Sequence, residues 1–199
     1  MIEVAGPLQP DLVRTEETAR SFRWLSWGLL MCFVDLKVCE IPLLPDPVGW
    51  VIILLALHAI RDVHTTLPNL VILAWIGLGL SVVLLFEPVI AREAGSEAVS
   101  TTLPLLDDVI ELVLVWQLFG VVIDIAQHLA DPTLAGQADF RRKLVVFIDV
   151  SRWCLGFLLS RAQLVGAGFL ILMLLPVVVV NVILVFTLLR NAARACQPE

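Results

Sequence analysis

Charge is scarce in this chain of 199 residues. Asp, Glu, Lys and Arg make up 16% of it, against about 25% in ordinary soluble domains. Lysine occurs only at Lys37 and Lys143, and no basic stretch suits a nucleic-acid backbone, so nucleic acid is excluded as a partner. The cysteines are Cys32, Cys39, Cys154 and Cys196; no pair has zinc spacing, and they outline no secreted disulfide framework. Three of them lie in apolar runs, where they act as small hydrophobes. There is no hydrolase elbow, phosphate loop, His-Glu metalloprotease helix or haem attachment motif, so no enzyme class is specified. A cleavable signal pattern is also missing: residues 1–21 are polar and acidic, and the apolar run after them holds Asp35 and Lys37.

What is abundant is apolar surface. The chain is 59% hydrophobic with net charge −6 and mean hydropathy +0.95. A soluble core of this size could not hide so much apolar area. The composition predicts an all-α fold, a polytopic transmembrane helical bundle. Crossing a hydrocarbon core of ~30 Å takes about 20 residues, and the apolar runs predict six spans at about 22–41, 48–64, 69–87, 106–129, 142–160 and 163–189. A short N-terminal segment (1–21) precedes this single membrane domain (22–190), and a tail (191–199) follows it. Residues 130–140 read as a loop, and Pro176 as a kink in the last span. The fifth span holds Asp149, Ser151 and Arg152 near its middle, so five spans plus an interfacial helix is the alternative.

The chain is organised around the stretch from Glu40 to Trp50. Pro42, Pro45 and Pro47 cannot lie inside a helix without breaking its ladder, so the first span should end near Ile41. Asp46 can cap the next helix, with Pro47 at its first position. Gly49 follows, and Trp50 suits a membrane–water boundary with its indole N–H wet. Pro45-Asp46-Pro47-Val48-Gly49-Trp50, together with Leu44, resembles a hairpin motif of uncharacterised bacterial multi-pass membrane proteins: Leu-Pro-Asp, any residue, Ile or Val, Gly, aromatic. The resemblance covers about residues 30–57. It implies a membrane class and no mechanism.

Cationic side chains orient the chain. With six spans, Arg14, Arg20, Arg23, Arg61, Arg141, Arg142, Lys143, Arg190 and Arg194 fall on the side of the N-terminus, and Arg92 and Arg161 on the other. The N-terminus is therefore expected in the cytoplasm. The dominance of Arg over Lys points to a bacterial plasma membrane. The expected partners are the lipid bilayer and either further copies of the chain or another membrane protein.

Charges within apolar spans each cost at least ~2.5–3.5 kcal/mol, so each invites a role. Asp35 lies deepest in an outer acidic group that includes Glu40, Asp46, Glu87, Asp107, Asp108 and Glu111. On the fourth span, Asp107, Glu111, Gln117, Asp124 and His128 fall within an arc of about 140°. Asp35, Glu111, Gln117, Asp124 and His128 are thus the candidates for an ion or proton pathway, the alternative being a polar packing face. His58 and Asp62 are four apart, as are Asp124 and His128, and the two pairs could hold a divalent metal. No other cofactor is evident. Asp149 and Arg152, three apart, read as a structural ion pair. Two readings follow: a small cation- or proton-coupled transporter or channel-like protein, or a non-catalytic subunit or scaffold of a larger membrane complex.

Overall fold

The computed structural model describes residues 13, 15–33, 37–38, 41–42, 46–86, 97–162 and 167–197, without the side chains of 33, 37–38, 41–42, 97–101, 152, 155–162, 167–178 and 181. Among these residues are six α-helices: α1 (Glu16–Phe33), α2 (Asp46–Ala59), α3 (Leu67–Leu85), α4 (Glu97–His128), α5 (Pro132–Ala162) and α6 (Ala167–Ala195). Between α1 and α2, β1 (Lys37–Val38) and β2 (Ile41–Pro42) form a two-residue antiparallel ladder, with Lys37 opposite Pro42 and Val38 opposite Ile41. The fold is all-α apart from this ladder.

Each helix packs on the next in sequence, and α6 returns to α1, so the six close into a ring. Pairs along the seams run in opposite order. Gly28 meets Ile53 while Cys32 meets Gly49; Asp108 meets Trp153 while Trp116 meets Arg142. α1 and α2, and α4 and α5, are therefore antiparallel. One end of the ring gathers the ladder, the start of α2 and Asp107, Asp108 and Glu111. The other gathers Arg20, Arg23, Arg61, Arg141, Arg142, Lys143, Arg190 and Arg194. Phe22, Leu25, Trp50, Ile53, Leu70, Leu114, Phe119, Val145 and Leu188 fill one continuous core drawn from all six helices.

Local chemistry explains the helix ends. Asp131 Oδ1 accepts from the N–H groups of Thr133 and Leu134, both at 3.0 Å, which caps α5 with Pro132 in its first turn. Just before it, the Asp131 N–H donates to Ala126 O (2.9 Å) and the Ala130 N–H to Gln127 O (3.1 Å). That pair of bonds is a Schellman closure of α4, and it holds Ala130 at φ 57°, in the left-handed region. Pro68 sits in the first turn of α3, as its missing N–H favours.

Several sequence expectations need correction. α1 begins at Glu16, inside the segment assigned to a polar N-terminus, and ends at Phe33 rather than near Ile41. The chain then turns extended, because Val38, Ile41 and Pro42 suit a ladder better than a helix. α2 ends at Ala59 instead of His64. α4 begins at Glu97 and carries Pro104 inside, where the expectation had a connection to about Thr102. Residues 132–140 are helix rather than loop, since the Asp131 cap starts α5 directly after the Schellman turn. α6 runs on to Ala195, and Ala192, Ala193 and Cys196 of the expected tail are buried in the core. Trp50 does not sit at a wet boundary: it is 1% exposed. Its ring lies over Gly77, so closely that a Cβ there would stand 2.5 Å from it.

Among the described residues, two helices are long and apolar enough to cross a membrane: Leu67–Leu85, holding an 18-residue stretch of mean hydropathy 2.1, and Thr102–His128, holding one of 2.2. Asp46–Ala59 is apolar but shorter.

Candidate functional site

α4 is the element on which the polar groups converge, because its apolar length carries charges facing different neighbours at its two ends. At the ladder end, the first turn of α2 brings Asp46 toward α4, and the last turns of α1 bring Cys32. Asp107 lies within electrostatic reach of Asp46 and Asp108, and Cys32 within reach of Glu111, Asp46 and Asp107. Cys32 Sγ stands 4.0 Å from the Asp46 carbonyl oxygen. Side chains from three helices thus meet at one level, which turns the Asp107–Glu111 edge of α4 toward the inside of the ring. Asp107 Oδ1 is buried and accepts no hydrogen bond among the described residues. Asp108, one position on, points elsewhere and accepts from Trp153 Nε1 at 3.2 Å, across the α4–α5 seam.

The basic end holds a second constellation, centred on His64 in the turn between α2 and α3. This histidine is buried, with its side chain 1% exposed. Its Nδ1 accepts the Thr66 backbone N–H at 3.1 Å. Nδ1 is therefore unprotonated in this arrangement, and the proton sits on Nε2, which faces Asp124 Oδ2 at 3.2 Å. The turn's own backbone thus selects the tautomer that donates to α4. Across the α4–α5 seam, the Arg142 guanidinium lies 3.7 Å from the centre of the Trp116 ring. It lies within electrostatic reach of Asp139 and Asp124, so Asp124 stands between an imidazole and a guanidinium. Arg142 Nε is buried and donates no hydrogen bond among the described residues. Next to it, Arg141 Nη1 donates to Leu184 O (2.8 Å) and Thr187 Oγ1 (3.2 Å), which fastens α5 to α6.

The expected site residues fare unequally. Asp107, Glu111, Gln117 and Asp124 are all partly buried on α4, but His128, at its last turn, is exposed. His58 is exposed as well, and Asp62 pairs with Arg61 at 3.6 Å rather than with a histidine. Asp124 turns to His64 instead of His128. The four proposed metal ligands are therefore not brought together, and no group of three or more His, Cys, Asp or Glu among the described residues could hold a metal ion. Asp35 and Pro45 lie outside the described residues, as does the Arg152 side chain expected to pair with half-buried Asp149. Asp46, Gly49 and Trp50 act in packing: Asp46 opens α2, Gly49 touches α1, and Trp50 covers α3.

The partnership of His64 with Asp124 was missed by reading along single helices. Its only sequence signal is a histidine directly ahead of the Thr65-Thr66-Leu67-Pro68 helix start. No protein-family model, curated protein or solved structure matches this chain.

Proposed function

We propose that the chain is a multi-pass protein of the bacterial inner membrane, with six spans and a cytoplasmic N-terminus, and that it passes protons or small cations along α4. The observation that carries this reading is the composition of α4 itself. Within Thr102–His128 an 18-residue stretch has mean hydropathy 2.2, yet the helix carries Asp107, Glu111 and Asp124 against neighbouring helices, while Leu105, Val109 and Val113 point outward. Charges kept in so apolar a helix are costly and belong to the bundle interior. Leu55, Ile72, Trp75, Ile76, Val82 and Val83 on α2 and α3 are all exposed apolar side chains, which suits a surface that faces lipid. The likeness of the Leu44–Trp50 motif to uncharacterised multi-pass proteins points the same way.

On this reading Asp46, Asp107 and Glu111 form a cation-attracting mouth at the outer end. Asp124 with the Nε2–H of His64 forms the inner station, and half-buried Gln117 lies between. At 22.0 kDa the chain would assemble with further copies. The test is reconstitution in vesicles with a pH-sensitive dye and a panel of monovalent cations. Flux above that of empty vesicles is expected, and it should be lost in Asp124→Asn and in Asp107→Asn while the thermal midpoint in detergent is kept. Flux equal to that of empty vesicles would remove the transport reading.

One observation favours the alternative, a non-catalytic membrane subunit or scaffold. α5, the least apolar of α2 to α6, shows Phe140 at 64% and Phe147 at 70% exposure, two turns apart on one face. In the absence of flux, a complex that Phe147→Asp disrupts would establish that second role.

A further inference from the structure

A groove of about 310 Å³ opens on the outer surface between the first half of α1 and the second half of α2. Its size is at the lower end of small-molecule sites, about 300–1,000 Å³. The lining is graded along its length. Glu17, Arg20 and Ser21 stand at the basic end of the ring; Trp24, Ile52, Leu55, Ala56 and Ala59 line the rest. Glu17 and Arg20 are three residues apart on one helical face, both exposed. No ion pair joins them among the described residues. Along α2, the run from Ala59 to Ile52 spans about 10 Å at 1.5 Å per residue. One leaflet's hydrocarbon is about 15 Å deep, so the groove can follow much of one acyl chain. Trp24, 48% exposed, sits one turn inward from Arg20, the level at which indoles favour a bilayer interface.

We propose that this groove binds a zwitterionic phospholipid whose phosphate carries a primary amine, of the phosphatidylethanolamine type. The inference rests on the membrane reading above and adds a lipid site to it. Arg20 supplies a fork for the phosphate, and Glu17 accepts from the ammonium group. The apolar wall of Trp24, Ile52 and Leu55 takes the chain. Charge complementarity selects the headgroup. The charged side chains of the lining are Glu17 and Arg20, one of each sign, which favours a headgroup of both signs. A glycerol headgroup would offer Glu17 an uncharged hydroxyl in place of an ammonium, a weaker partner. A choline headgroup has no N–H to give it.

The test uses the full chain, purified in mild detergent and stripped of lipid, with thermal midpoints followed as phosphatidylethanolamine, phosphatidylglycerol or phosphatidylcholine of identical chains is added. A saturable rise that is largest with phosphatidylethanolamine is expected. Arg20→Gln should weaken it about tenfold or more. Glu17→Gln should erase the preference over phosphatidylglycerol. Leu55→Trp fills the groove from its exposed side without touching the core, and it should weaken binding of all three lipids. Equal shifts with all three headgroups, or shifts indifferent to Arg20→Gln and Glu17→Gln, would overturn the lipid site. Carbonate extraction of expressing cells separates the two readings. A chain that stays in the membrane but shows no headgroup selection loses the lipid site alone; a chain released by carbonate loses both.

Discussion

The close backbone approach of α1 and α2 is the sharpest test of the ring. Gly28 of α1 and Gly49 of α2 face each other where the two helices cross. A Cβ on Gly28 would stand 2.7 Å from Ile53 Cγ1, 3.0 Å from Gly49 O and 3.1 Å from Ile53 N. Carbon atoms prefer about 3.5–4.0 Å. The Ile53 side chain could rotate, but the two backbone atoms move only if α2 moves. Gly28→Ala should therefore cost about 1–3 kcal/mol of overpacking, against a gain of about 1 kcal/mol in helix propensity. Gly79 of α3 is the control, since an added Cβ there meets nothing within 4 Å. Gly79→Ala should keep the whole propensity gain and melt about 2–4 °C above the wild type, with Gly28→Ala at or below it. Gly49→Ala should resemble Gly28→Ala, its Cβ falling 2.9 Å from Gly28 O and 2.6 Å from Cys32 Sγ. Combining the two should cost less than their sum, because one separation of the helices relieves both. The assay is thermal unfolding in one detergent, followed by circular dichroism. If Gly28→Ala stabilises as much as Gly79→Ala, the close crossing of α1 and α2 is refuted, and with it the placement of Asp46 and Cys32 beside α4.

Other outcomes follow from the same geometry. Ala130 occupies a left-handed position at φ 57°, so Ala130→Gly should raise stability by about 0.5–1 kcal/mol, read from the thermal midpoint. Asp131→Ala removes the acceptor for two N–H groups at the start of α5 and should lower stability by about 1 kcal/mol in the same measurement. Trp116→Leu removes the ring under Arg142 and should cost about 1–2 kcal/mol, whereas Trp75→Leu, at a side chain 59% exposed, should be close to neutral in detergent.

Much of the helical order was legible in the chain because its punctuation is local. Pro47, directly after Asp46, and Pro68 stand in the first turns of α2 and α3, where a missing N–H costs nothing. The same Asp-Pro signal stood at Asp131-Pro132, and it marks the start of α5. The residues after it, 132–140, are helix although that stretch reads as a loop along the chain. The end of α1 differs for another reason: Val38 and Ile41 are as compatible with strand as with a membrane helix, and their pairing is not visible in a run of apolar residues. The α4 stripe was half right. Helical periodicity places Asp107, Glu111, Gln117 and Asp124 on one arc, but periodicity names no partner.

Composition and local propensity by themselves determined that the chain is helical, that 59% of it is hydrophobic, and that charges are placed in its most apolar stretches. These properties reside in each segment separately. Only the tertiary structure decided which charges meet. Asp124 could have taken His128, four residues along its own helix, yet the turn after α2 delivers His64 to it, with Thr66 fixing the tautomer. Trp50 could have sat at a boundary, yet Gly77 on the next helix leaves room for its ring. In both cases the deciding group lies on another helix, and its distance is set by how closely small residues let the backbones approach.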